Sequence, residues 1–119
     1  MPKKILLLES INFIAKLIKE NMKQINGIEL AFAYTGKEAL LQLEKDKFDL
    51  LIMNMNLYDM SGIEFLSKLD HANIEQTVLL MTNTPDKLGL TENPRLAGII
   101  RLPIDFDMFN EKVRDLLKI

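Results

Sequence analysis

This 119-residue sequence predicts an α/β domain, doubly wound around a five-stranded parallel sheet, on three observations. Short continuous apolar runs recur along the chain, "KILLL" at 4–8, "LLIM" at 50–53 and "TVLLM" at 77–81, and such runs mark strands buried on both faces. Between them the apolar residues adopt a helical period, and strands separated by helices run parallel through right-handed crossovers. One further strand segment, "IELAFA" at 28–33, alternates instead of running continuously, as a less covered edge strand does. That places strand two at the edge and gives the order 2-1-3-4-5, whose ligand crevice lies at the C-terminal ends of strands one and three.

Each element has a local reason. After strand one, Ile11, Ile14, Ala15, Ile18 and Met22 form one helical stripe, with Asn12, Lys16, Lys19, Glu20 and Lys23 opposite. The Asn26-Gly27 pair is expected to end that helix by supplying a residue tolerant of positive φ. The second helix spans 35–46, opening on the capping-box spacing of Thr35 and Glu38 and turning Ala39, Leu40 and Leu43 inward. Strand three follows, and Ser61 with Glu64 repeats the box ahead of a helix over about 62–69. After strand four, residues 85–96 support at most a short helix, because Gly89 and Pro94 oppose a helix interior. "AGIIR" at 97–101 reads as strand five, and a last helix follows with Phe106, Phe109, Val113, Leu116 and Leu117 inward.

The length fits one domain spanning residues 1–119, and 48% hydrophobic with 27% charged residues is a globular composition. A net charge of −2 with no basic patch argues against direct nucleic-acid or membrane-surface binding. With no cysteine there is neither a disulfide framework nor a thiolate metal site. The apolar run after Lys3 and Lys4 is too short for a signal peptide or a membrane span, so a cytoplasmic location is the expectation.

The crevice ends carry Glu9 and Ser10 after strand one and Asn54 after strand three. "KILLLES", "TGKEALLQL", "DLLIMNMNLYDMSG", "VLLMTN" and "RLPID" follow one another in the order and spacing of the receiver domain of two-component response regulators, which the chain resembles over nearly its whole length. The resemblance implies the flavodoxin-like form of this fold and a role in bacterial signal transduction. In that family a strand-three aspartate attacks a phosphoryl group, an acid pair and that aspartate hold Mg²⁺, and a lysine neutralises the product.

The departures fall on this chemistry. By the resemblance Asn54 takes the phosphoacceptor position, and an amide is a poor nucleophile that cannot form an acyl phosphate. Glu9 and Ser10 take the acid pair, so one carboxylate is left for Mg²⁺, which favours hard anionic oxygens; metal binding is expected to be weak or absent. Counting from Pro103 puts Leu102 in place of the lysine, while a one-residue insertion would put Arg101 there; the strand register favours Leu102. Thr82 stands at the switch hydroxyl, Asn83 where a small residue is usual, Ile99 at the switch aromatic, Tyr58 where the loop proline is common, and Asn56 at a further pocket position. A single engineered change at Asn54 would leave Ser10, Asn83, Ile99 and Leu102 unexplained.

Plainer readings stand beside these. Asn54 can serve structurally by satisfying loop N–H and C=O groups, Glu9 can be a solvated carboxylate at the strand mouth, and Thr82 can be a β-branched strand terminator. Asp49 and Asp59 are the substitute acceptors nearest in sequence, but Asp49 belongs to the opposite end of the sheet and Asp59 to an exposed loop. His71, the only histidine, reads as solvated in a helix-to-strand connection, and the seven methionines as core filler.

The resulting expectation is a receiver-like regulatory module that works without aspartyl phosphorylation. It has no cofactor and engages a protein partner or an attached output domain, with the 85–118 face as a homodimer surface. Phosphorylation at an unorthodox residue and small-molecule sensing in the altered crevice are the alternatives. No Gly-rich phosphate loop or nucleophile–base pair supports an enzyme.

Overall fold

The computed structural model describes residues 1–85 and 92–119. Five strands, β1 (Lys3–Leu8), β2 (Ile28–Ala33), β3 (Leu50–Asn54), β4 (Val78–Thr82) and β5 (Leu96–Arg101), form one parallel sheet in the order β2-β1-β3-β4-β5. Four described helices cover it: α1 (Asn12–Met22), α2 (Gly36–Lys45), α3 (Gly62–His71) and α4 (Phe106–Leu117). The short helix considered between β4 and β5 falls largely on residues 86–91, outside the described residues.

Strand parity sorts the core into two layers. Leu6, Leu8, Leu51, Met53 and Leu80 pack against Phe65, Leu66 and Leu69 of α3 and Ala39 and Leu43 of α2. Ile5, Leu7, Ile52, Leu79, Met81 and Ile100 pack on the other face against Ile18 and Met22 of α1 and Phe109, Val113 and Leu117 of α4. The β1, β3 and β4 residues in these layers are buried, as their unbroken apolar runs require. One polar contact joins the helices of the second layer: Asn21 of α1 and Asn110 of α4 exchange side-chain amide hydrogen bonds at 2.6 and 3.1 Å.

Local signals hold with amendments. Thr35 and Ser61 cap α2 and α3 by accepting from the N–H groups of Glu38 and Glu64, both at 3.1 Å. The return half of the first box lands one residue early, because Glu38 accepts from Tyr34 N–H at 3.2 Å instead of from Thr35. Helix α1 ends at Met22 and not at Asn26-Gly27; Ile25 is drawn into the core there, and Gly27, at φ +82°, turns the chain into β2. Ile11 is the N-cap residue of α1 and is 57% exposed, so it leaves the buried stripe. His71 is the last residue of α3, its Nδ1 2.8 Å from the Ser67 carbonyl oxygen, and not part of a connection.

Candidate functional site

The site is built by three chain ends that the parallel sheet delivers to one edge. The ladder carries β1 past Leu8, with Glu9 N–H donating to the Ala33 carbonyl, and β3 ends at Asn54. Leu102 continues β5 through its N–H to the Thr82 carbonyl at 2.9 Å. Since side chains alternate, Glu9, Asn54 and Leu102 share the face that carries α1 and α4.

Glu9 is only 1% exposed, which overturns the solvated-carboxylate reading. Its two oxygens are occupied by protein donors: Asn54 Nδ2 donates to Oε1 at 2.9 Å, and the backbone N–H of Ile11 donates to Oε2 at 3.1 Å. Asn54 is also held from its other end, its Oδ1 accepting the N–H of Asn56 at 3.0 Å. The amide thus bridges a carboxylate and a backbone donor, a task needing one donor and one acceptor on the same planar group. A carboxylate in its place would meet Glu9 oxygen to oxygen.

Ser10 faces away from Glu9. Its hydroxyl donates to the Tyr34 carbonyl after β2 and accepts from Tyr58 N–H at 2.8 Å, tying the β2–α2 and β3–α3 connections together. The β3–α3 connection is closed by Gly62 N–H to the Met55 carbonyl at 2.6 Å, while the Tyr58 ring stands 86% exposed.

Asp59 does more than sit exposed in this loop. Its Oδ1 accepts from Gly36 N–H at 2.8 Å and its Oδ2 from Lys37 N–H at 3.0 Å, so it caps the first turn of α2 from the β3–α3 connection. Desolvation, the largest single influence, pushes its carboxyl up, but hydrogen bonds from Gly36, Lys37 and its own N–H, with the charge of Lys37, together outweigh this and hold it below its ordinary 3.8. Asp49 lies at the opposite end of the sheet, accepting the Lys4 N–H at 2.8 Å.

Thr82 is buried at the end of β4, its Oγ1 accepting Thr84 N–H at 3.1 Å and lying 3.1 Å from the Thr84 hydroxyl. Ile99 packs into the α2–α3 layer. Arg101 is exposed.

A crevice of about 420 Å³ opens over Asn54 on the α1–α4 side. Asn54, Asn56 and Asn83 are the polar side chains among its described lining residues. Ile11, Ile14 and Leu17 form one wall; Leu102, Pro103, Ile104 and Phe106, between β5 and the first turn of α4, form the other. The structure therefore brings Asn54, Asn56, Asn83 and Leu102 together with Glu9 bonded behind them, and leaves Ser10, Thr82 and Ile99 outside the lining. Apart from Leu102, sequence reasoning missed the walls. The available signal was Leu17, an apolar residue of α1 beyond the stripe the core needs and 44% exposed.

Among the described residues no group of three or more His, Asp or Glu side chains comes together to hold a metal ion, and no helix is long and apolar enough to cross a membrane.

Residues 5–99 match the response regulator receiver domain family. The transcriptional regulatory protein CrdR of Helicobacter pylori is 26% identical over 117 residues, which cover 96% of this chain and 54% of CrdR. ZraR of Salmonella typhimurium is 29% identical over 93 residues, covering 76% of this chain and 21% of ZraR. The chain thus spans about half of one of these transcriptional regulators and about a fifth of the other. Among solved structures, the receiver domain of a LuxO repressor protein from Vibrio parahaemolyticus superposes with a TM-score of 0.87 at 25% identity, covering 99% of this chain and 92% of that one. CheY4 of Vibrio cholerae, at 21% identity, shares the fold with a TM-score of 0.84 over 98% of this chain and 99% of its own. With the fold, the spacing of the crevice residues and these matches in agreement, the chain belongs to the response regulator receiver domain family.

Proposed function

We propose that this receiver domain acts in bacterial two-component signalling without being phosphorylated at the usual position, as a protein-interaction and regulatory module. The observation that carries the reading is the amide of Asn54, the residue at the phosphoacceptor position, tied between Glu9 and the Asn56 N–H. An amide so held offers no nucleophilic oxygen.

The donor set does not fit Mg²⁺ either. Both Glu9 oxygens and the Asn54 oxygen accept N–H groups of the protein, and the Ser10 hydroxyl is committed to Tyr34 and Tyr58. Magnesium demands near-octahedral hard oxygens and surrenders its waters reluctantly, so a site already bonded to itself has little to offer it. Leu102, at the lysine position, supplies no cation for a phosphorylated product. Thr82, at the position of the switch hydroxyl, bonds to Thr84.

The domain then works by the surface it presents, switched by a partner with unequal affinity for two conformations or holding a single one. The 85–118 face, with Ile99 at β5 and Met108 65% exposed on α4, is the surface we assign to a partner, an attached output domain or a second copy. The module has no cofactor and no catalytic residue, acts in the cytoplasm, and makes no direct contact with nucleic acid.

Incubating the protein with acetyl phosphate and Mg²⁺ and measuring its intact mass tests the reading. No phosphoryl adduct is expected. A stoichiometric adduct, at whatever residue, overturns it.

A further inference from the structure

We infer that the crevice over Asn54 is a binding site for a small neutral amphiphile, with an aliphatic body and an amide or carbonyl head. The inference rests on the reading that this crevice carries no phosphoryl chemistry.

At about 420 Å³ the crevice has the size of a small-molecule site, and it has the composition of one: apolar walls with a few convergent polar groups. Ile11 and Leu17 are 57% and 44% exposed, so the outer wall stands uncovered. The polar groups are all primary amides. Asn54 is engaged at both ends of its amide, whereas the exposed side-chain amides of Asn56 and Asn83 make no hydrogen bond among the described residues. Each presents one acceptor and two donors, which pairs with a head that is itself donor and acceptor.

Charge decides the class. Among the described residues no lining side chain is ionisable, so none of them neutralises a phosphate, a carboxylate or an ammonium group. Glu9, bonded to Asn54, is turned inward with both oxygens engaged, and it stands directly behind Asn54 to disfavour an anion. Nucleotides and acyl phosphates are thereby selected against, and a neutral amide-headed molecule is selected for.

Octanamide, octanoate and octylammonium share one aliphatic chain and differ in the charge of the head, so they isolate this term. Each is titrated into the full chain labelled with nitrogen-15 and with methyl carbon-13. Octanamide is expected to shift the side-chain NH₂ signals of Asn56 and Asn83 and the methyl signals of Ile11, Leu17 and Ile104. It should bind at least tenfold more tightly than either charged analogue.

Leu102→Lys places a cation on the inner wall and should turn the preference to octanoate. Ile104→Trp fills the crevice and should abolish the shifts, with unchanged amide dispersion elsewhere showing that both variants fold. Equal binding of the three analogues, shifts at other surfaces, or a preference that Leu102→Lys leaves alone overturns the inference. So does self-association in sedimentation velocity that octanamide does not compete with and that Leu17→Glu abolishes, which would make the occupant a second copy. Acetyl phosphate labelling fails or succeeds independently of these titrations, so loss of the parent reading is seen separately.

Discussion

Asn54→Asp sets a second carboxylate against Glu9 and should destabilise the fold. The Asn54 Nδ2 lies 2.9 Å from Glu9 Oε1, and both residues are buried. Two like charges at that separation repel by about 6 kcal/mol at an effective dielectric of about 20. The pair escapes most of this by keeping one proton, which restores an O–H···O bond in place of the lost N–H···O. Retaining a proton at pH 7 on a group that ionises near pH 4 when unfolded costs about 1.4 kcal/mol per unit, or about 4 kcal/mol. That caps the loss, and it is a large share of a typical ~5–15 kcal/mol stability.

The sign follows from linkage. The shared pKa of the pair is raised in the folded variant, so the full stability is present below the unfolded value near 4. It is lost as pH rises toward the folded pKa, at up to about 1.4 kcal/mol per unit. Urea unfolding of both proteins at pH 5, 6 and 7 should give deficits of about 1.4, 3 and 4 kcal/mol. Millimolar Mg²⁺, which can bridge the two carboxylates, should recover part of the deficit at pH 7 in the variant and leave the parent unmoved. A variant as stable as its parent at pH 7, with no slope, would refute the contact on which the site is built.

Removing the Ser10 hydroxyl by Ser10→Ala should cost about 1 kcal/mol in urea, since solvent can replace bonds to the exposed Tyr34 and Tyr58 backbone, and should speed hydrogen exchange at the Tyr58 amide. Asn110→Ala leaves the Asn21 amide unpaired and should cost about 1–3 kcal/mol; a double-mutant cycle with Asn21→Ala should return a coupling of about 1 kcal/mol, and none if the pair does not form. The Asp59 carboxyl is held below 3.8, so its contribution is present above that value and lost as pH falls through the depressed pKa. Asp59→Asn should therefore be less stable than the parent at pH 6 and approach it as pH falls below 3.8, measured by thermal unfolding down through that range.

What the sequence carried openly was local. The runs 5–8 and 50–53 gave strands because an unbroken apolar tetrad has no solvent face, and Thr35 and Ser61 gave helix starts because a cap acts across three residues. The strand order followed from one alternating segment at 28–33. Contacts between distant segments were not legible. Asn21 and Asn110 lie 89 residues apart, and a polar residue on an amphipathic helix reads as solvated until its partner is placed. Asp59 caps α2 from 22 residues downstream, and Ser10 links two loops that only the closed sheet brings together. The burial of Glu9 was hidden for the same reason: a carboxylate after a buried strand is solvated or enclosed according to the turn that follows it, here the one presenting Ile11 N–H.

The exchanged amides of Asn21 and Asn110 also have a mechanical meaning. Both bonds run between the same two side chains, so sliding α4 along α1 by one helical turn of about 5.4 Å would sever both at once. The pair therefore pins the two helices against sliding while leaving them free to pivot about it. Ile14 and Leu17 of α1 and Phe106 of α4 ride on the two sides of this hinge pin, so a partner that levers α4 changes the width of the mouth between them. By reciprocity, whatever wedges that mouth open redirects the outer face of α4.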